Sequence, residues 1–402
     1  MGNNFDFVVV GGGILGLSLA TKLSDRFPDC SIAILEKESK LGCHASGRNS
    51  GVLHSGIYYP ETSLKAQHSS AGAAWLSDFC NQYKLPIRKV GKVILPLRPE
   101  DEKILQLLYK RGLGNRSGAQ WADVNQLREI EPEAVTVTGT ALYIPNSQVV
   151  DSKAILQKLS ELLIEKGAKI FYESELIDIN GSAKELICKN GLRLSFGHLV
   201  NAAGAFADRV AHRFGIGTDL AIQPFKGLYF RLAENKAKNI RGNIYPCPDL
   251  NLPFLGVHFT KSYDGKVYIG PNALPALGRE NYEGFLGSDL QEGLAILWRN
   301  LVQYAKNKQN FRQLVHDEVK RLSKRYFLDA ARKLVPRLEM ADLEPCNKVG
   351  IRPQLYNTKT NELMMDFLVE HTDNSTHILN AISPGFTCSG PFAGYVVDAM
   401  KV

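Results

Sequence analysis

The chain has 402 residues, 44% of them hydrophobic and 22% charged, with 48 Lys and Arg against 41 Asp and Glu. That composition excludes a disordered, collagenous or disulfide-scaffold protein, and the length suggests two domains at about 150–200 residues each. Seven scattered cysteines without a C-x-x-C pair read as reduced thiols in a cytoplasmic protein, and a net charge of +7 favours anionic small molecules.

The stretch FVVVGGGILGLSLA at 7–20 reads as strand, tight turn and helix. Gly11, Gly13 and Gly16 carry the spacing G-x-G-x-x-G, with Ile14 opening the helix. Glycines at those positions allow the turn, a close approach to a pyrophosphate and tight helix–strand packing. A helix N-terminus then offers free N–H groups to the phosphates. A second strand, 31–35, ends in Glu36, where a ribose hydroxyl would be accepted. Lys37 beside it is either a further contact or a surface charge. The run is too short for the about 20 residues that span a bilayer. With Asp6 in front and no cation before Lys22, it is not a secretory signal either.

A Gly-, Ser-, His- and Asn-rich loop occupies 41–60, too polar for a core element and long enough to be functional. Apolar periodicity predicts a helix over 62–84, a strand follows at 93–97, and a polar helix-like segment covers 100–111. Asp151 reads as the N-cap of a helix that Gly167 ends. Strands follow at 169–172 and 198–203. The latter turns at Ala203-Gly204 into a helix over 207–214, a second strand–Gly–helix junction suited to a dinucleotide.

Residues 222–275 are β-rich, with runs at 228–230, 256–260 and 267–269 and a hairpin turn at Asp264-Gly265. Helices are expected at 288–306 and 314–334, strands at 363–369 and 377–382, and a last helix after Ser383-Pro384-Gly385. The basic cluster Lys320, Arg321, Lys324 and Arg325, offset by Asp317 and Glu318, reads as a solvated face, so no nucleic-acid partner is expected. No His, Cys or Asp cluster has metal-ligand spacing, and no metal is expected. The fold class is α/β: a Rossmann-like dinucleotide domain from discontinuous segments, 1–85, 148–220 and 340–402. An inserted α+β substrate domain with an antiparallel sheet takes 86–147 and 221–339.

Four stretches, the N-terminal motif, GRNSGVLHSGIYYPETSLKA (47–66), NAAGAFADRVA and FKGLYFRL (225–232), together resemble the FAD-dependent D-amino-acid oxidase superfamily. Within it, LPFLGVHFT (252–260), GPNALPALGRE (270–280), GIRPQL (350–355) and LNAISPGFTCS (379–389) resemble the L-2-hydroxyglutarate oxidase/dehydrogenase group. The resemblance implies a flavoenzyme that oxidises L-2-hydroxyglutarate to 2-oxoglutarate. Hydride would pass to flavin N5, and oxygen or a membrane quinone would reoxidise the cofactor. No stretch stands out as an amphipathic membrane helix. Peripheral contact with the inner face of the membrane is therefore implied by the resemblance alone.

In the resemblance, His44, Arg48, Asn49, Ser50, Gly51 and Val52 wrap the flavin. Ala203 and Gly204 close over the diphosphate or adenine side. Gly385, Thr387 and Cys388 open the last helix, whose N–H groups would face the flavin atoms that gain negative charge on reduction. Oxidising an alcohol carbon needs a base, for which His is the default. His258 is the expected base, with His54 as a flavin-proximal partner. Arg352 is the expected carboxylate clamp beside the flavin, since its fork matches a carboxylate and its place between Gly350 and Pro353 reads as a structured turn. Lys65, Lys226, Tyr58 and Tyr229 are its companions, and Tyr59 reads equally as a companion or as packing. Cys43, His44 and Cys346 are the positions at which a covalent flavin bond would form, though non-covalent binding is expected. Two other readings stay open: an amine oxidase of the same fold acting on glycine, sarcosine or a D-amino acid, and a non-oxidase NAD- or RNA-binding protein.

Overall fold

Strand Asn4–Val10 carries a run of β-branched residues because it is buried on both faces, with Val8 and Val9 fully inaccessible. Phe7 and Val9 pack with helices Ile14–Arg26, Leu64–Gln82, Ser152–Glu165 and Gly385–Asp398. Phe5, Val8 and Val10 pack on the opposite side with Leu194, Phe196 and Val210. Burial of each such side chain contributes about 1.5–3 kcal/mol. The strand pairs in parallel with Ile32–Leu35 and Arg193–Asn201, which pairs in parallel with Ser375–Asn380. The start, middle and end of the chain thus meet in one eight-stranded sheet. The structure, a computed structural model, describes residues 3–250, 252, 254–284 and 286–401. Pro253, within the stretch LPFLGVHFT, lies outside the described residues.

A second sheet of ten strands is built on two long neighbours, Leu220–Leu232 and Leu343–Asn357, paired antiparallel. Pro224 stands opposite Pro353. Neither has an N–H, so the pair takes a position where the ladder needs none. Arg352 therefore lies inside a strand, opposite Phe225, and not in the turn expected from Gly350 and Pro353. Strands His258–Lys261 and Val267–Gly270 form the expected hairpin, and Asn243–Pro246 joins His258–Lys261 to Lys92–Leu95. A small third sheet unites Val52–Leu53, Gln148–Val150 and Ile87–Lys89.

Asp151 caps its helix, accepting from Lys153 N at 3.0 Å and Ala154 N at 3.3 Å. Elsewhere the expected elements are revised. The helix expected over 314–334 is two, Phe311–Lys320 and Lys324–Arg332, and the strand expected over 363–369 is two short ones, Glu362–Leu363 and Leu368–His371. Asn380 donates to Met364 O (3.0 Å) and Asp366 O (2.6 Å), which turns the intervening backbone out of the ladder. Residues 343–357 hydrogen-bond into the second sheet, although the partition drawn above counts them with 340–402.

Candidate active site

One cavity of about 610 Å³ runs from the glycine-rich turn to the face of the second sheet, within the range of ligand sites. At its first end the glycines act through shape. A Cβ on Gly11, whose φ is +109°, would stand 2.5 Å from Ala202 O, and one on Gly16 would stand 1.9 Å from Gly11 O. Gly13 begins the helix without a side-chain cap of its own, and Ser46 Oγ accepts from Ile14 N at 3.0 Å. The Glu36 carboxylate accepts from Gly12 N (3.2 Å) and Glu38 N (2.9 Å), and burial pushes its pKa up. These features fit a dinucleotide: a bare turn at the start of a helix and one buried acceptor at the end of the second strand.

Lys37 is engaged elsewhere. Its ammonium pairs with Glu38 at 2.7 Å and with Glu280. His44 bonds Glu38 through Nε2 at 2.8 Å and the Tyr282 hydroxyl through Nδ1 at 3.1 Å. Glu38, His44 and Glu280 bring their ligand atoms within 4.8 Å of one another, a grouping the sequence spacing did not suggest. Lys37, bonded to both carboxylates, already supplies the positive charge there. Arg48 donates from Nε to Cys43 O at 2.6 Å and stacks 4.1 Å over the Tyr282 ring. Asn49 bridges Ser46 O (2.7 Å) and Gly51 N (2.8 Å). Gly51, with φ +74°, passes so close to Val150 that a Cβ would stand 2.5 Å from its carbonyl oxygen. Thr387, in the first turn of the last helix, ties the loop down. Its hydroxyl accepts from His54 N at 3.1 Å and donates to Val52 O at 3.4 Å.

At the other end of the cavity stand His54, Tyr229, Tyr245, Phe254, His258 and Arg352. His258 Nδ1 lies 2.8 Å from Gly256 O. A carbonyl only accepts, so Nδ1 carries the proton and Nε2 keeps its lone pair. The His258 ring packs on Tyr245 with centroids 4.1 Å apart, and burial lowers its pKa to about 4. Burial, then the charge of Lys92, holds His54 well below the ordinary histidine value. The Arg352 guanidinium lies 4.9 Å over the Phe254 ring and has no acidic partner among the described residues.

Of the expected site residues, Gly11, Gly13, Ile14, Glu36, Lys37, His44, Arg48, Asn49, Ser50, Val52, Ala203, Gly204, Gly385 and Thr387 line this cavity with the two histidines, Tyr229 and Arg352. Gly16 and Gly51 act by packing only. Cys388 is turned away: its thiol is inaccessible and lies 3.6 Å from Ser69 Oγ on helix Leu64–Gln82. Lys65 donates to Met365 O at 2.5 Å and Lys226 to Asn281 at 3.0 Å, so both amines hold chain segments in place. The Tyr58 hydroxyl is buried without a hydrogen-bond partner among the described residues, outside the cavity lining. Sequence reasoning missed Ser46, Tyr245, Phe254 and Tyr282, which also line the cavity, and Lys92, which lies outside the lining against the Tyr245 ring. Lys92 did leave a signal, a lysine heading a strand whose four residues are all buried.

Comparison with known proteins agrees with this geometry. The profile of the family described as "FAD dependent oxidoreductase" matches residues 6–399. The chain is 34% identical over 402 residues to the L-2-hydroxyglutarate dehydrogenase of Escherichia coli K12, covering 99% of this chain and 93% of that protein. It is 34% identical over 422 residues to the mitochondrial L-2-hydroxyglutarate dehydrogenase of Homo sapiens, covering 99% and 89%. Among solved structures, reduced L-alpha-glycerophosphate oxidase from Mycoplasma pneumoniae with FAD bound superposes at a TM-score of 0.76 and 20% identity, covering 98% of this chain and 94% of that one. Glycine oxidase from Geobacillus kaustophilus gives 0.70 at 19% identity, with coverage of 98% and 94%. At those identities the structural likeness speaks for the fold alone.

Proposed function

The chain belongs to the FAD-dependent oxidoreductase family, and from that premise we propose that it oxidises L-2-hydroxyglutarate to 2-oxoglutarate. The reaction takes a hydride from C2 and a proton from its hydroxyl, and FAD when bound supplies the hydride acceptor. Gly11, Gly13 and Glu36 would hold the cofactor's pyrophosphate and ribose, and the first turn of helix Gly385–Asp398 would lend its N–H groups to the charge gained on reduction. Arg352 binds one substrate carboxylate as a fork, and Tyr229 stands beside it as a hydroxyl donor. His258 Nε2 takes the hydroxyl proton while Nδ1 stays bonded to Gly256. A bound carboxylate favours the imidazolium and so raises the basicity that burial lowers. Tyr245 and Phe254 wall the same end and keep water out.

The observation that carries this reading is an Arg352 guanidinium, without an acidic partner among the described residues, sharing one cavity with a neutral histidine and the dinucleotide cradle. The names of the relatives supply the substrate. Anaerobic mixing of the yellow holoenzyme with L-2-hydroxyglutarate, D-2-hydroxyglutarate, glycine and sarcosine tests it. Bleaching by the L-hydroxy acid alone is expected. Bleaching by an amine and not by the hydroxy acid would move the chain to the amine-oxidase reading.

For reoxidation the reading is a lipid-soluble quinone at a membrane surface. Helix Leu290–Lys306 presents Leu290, Leu294, Leu297, Trp298 and Leu301 to solvent, with Leu290 80% and Trp298 66% exposed. Leu322 and Tyr326 extend the apolar face. Between residues 286 and 333, ten Lys and Arg stand against five Asp and Glu. An apolar stripe flanked by cations suits an anionic bilayer, whereas a second copy would bring like charge against it. No helix among the described residues is long and apolar enough to cross a membrane. Co-flotation with phosphatidylglycerol vesicles, lost in Trp298→Asp, is expected. Equal recovery of both proteins in the vesicle fraction would refute the surface.

A further inference from the structure

One buried cation has no place in the chemistry above. Lys92 is 1% exposed, and its Nζ has no hydrogen-bond partner among the described residues. It lies 4.8 Å from the centroid of the Tyr245 ring and 5.6 Å from that of Tyr58. The Tyr245 ring also carries His258, 4.1 Å away centroid to centroid. Strand Lys92–Leu95 pairs with Asn243–Pro246, which pairs with His258–Lys261, so the three residues stand on adjacent strands of one sheet. A structural lysine is normally satisfied by carbonyls or a carboxylate, as Lys65 and Lys261 are here. Lys92 has neither, and a buried ammonium without partners costs stability unless its charge is used.

We propose that Lys92 is a positioning residue for the oxidation, a fixed cation that sets the charge state of the His258 and His54 imidazoles across the Tyr245 ring. The groups facing His258 are Lys92, Tyr245, His54 from the glycine-rich loop and Arg352 from strand Leu343–Asn357. The charges acting on it are cationic, Lys92 and Arg352. A cation beside an imidazole disfavours its protonated form. The arrangement therefore keeps a proton acceptor available when a dianionic substrate enters and pulls the other way. Burial lowers the pKa of Lys92 itself to about 8, so it remains charged at neutral pH.

The role assigned to the imidazoles rests on the proposed oxidation, so the test carries one arm that needs no substrate. In Lys92→Met holoenzyme, ¹⁵N-histidine NMR should show the His258 titration, assigned with His258→Asn, displaced upward by about one pH unit from its wild-type position. In the second arm, the acid limb of kcat with L-2-hydroxyglutarate should move up by the same amount and KM should rise about tenfold, from the loss of one cation. The melting temperature should stay level or rise, because an apolar chain replaces an unpartnered charge. An unmoved His258 titration overturns the proposal, and so does a fall in melting temperature with FAD loss that Lys92→Gln shares. If wild-type protein does not turn over L-2-hydroxyglutarate, the substrate assignment falls while the NMR arm still decides the role of Lys92.

Discussion

Arg352→Met separates a binding role for the guanidinium from a structural one. Arg352 has no acidic partner among the described residues, so its desolvation is uncompensated in the free protein, apart from the face of Phe254 at 4.9 Å. Removing it should forfeit a desolvated cation–π contact of about 2 kcal/mol and relieve a desolvation penalty of the opposite sign. The melting temperature should therefore stay within about 3 °C of wild type. Binding responds differently. A buried charge pair to a carboxylate loses about 2–5 kcal/mol when one partner is truncated. At 1.4 kcal/mol per decade, the middle of that range is about two and a half decades in kcat/KM for L-2-hydroxyglutarate. Steady-state turnover with an artificial electron acceptor measures kcat/KM, and a melt of the holoenzyme measures the stability. Arg352→Lys, a point charge without the fork, should fall between the two. A kcat/KM within about threefold of wild type, or a collapse in melting temperature, would refute the assignment.

Gly16→Ala places a Cβ 1.9 Å from Gly11 O, a backbone atom that cannot swing aside. A cost of about 1–3 kcal/mol and loss of bound flavin should follow, and wild-type flavin content in the purified variant would refute the packing argument. Thr387→Val removes the hydroxyl that accepts from His54 N. The stranded N–H should cost about 1–3 kcal/mol in denaturant unfolding, and an unchanged midpoint would count against that bridge. Burial lowers the pKa of His198, His258 and His377 to about 4 each. The unfolded chain protonates them near 6.5, so the stability they confer is present above that value and is lost as pH falls toward 4. Melts at steps from pH 7 to pH 4.5 should decline steadily, and a flat profile would exclude the burial of these rings.

What could be read from the residues depended on range. The first βαβ unit was legible because every signal is local: Val8 to Val10, the glycine spacing and Glu36 lie within one short segment. The Asp151 cap and the Asp264-Gly265 hairpin are local as well. Arg352 lines the cavity, but from a strand and not from a turn. Gly350 and Pro353 look like turn formers, and only pairing with Pro224, 129 positions away, makes Pro353 harmless in a strand. Cys388 follows Thr387 directly, yet about 100° of helical rotation separates them, which sends one side chain to the glycine-rich loop and the other to Ser69. Lys65 looked like a substrate contact because charge is visible in a sequence and the carbonyl of Met365 is not. The stripe on Leu290–Lys306 looks in the sequence like that of an ordinary helix, since periodicity alone does not say which apolar face is covered.

On this reading the three chain segments of the first sheet and the face of the second enclose one flavin, with the substrate's reacting carbon between His258 and Arg352. A crystal structure of the FAD complex soaked with 2-oxoglutarate decides it. The pyrophosphate should lie at Gly11 and Gly13, a ribose hydroxyl on Glu36, and a product carboxylate on Arg352 with the keto oxygen within hydrogen-bond reach of His258 Nε2. Product density on the far side of the sheet, or a flavin ring out of reach of His258, would contradict it.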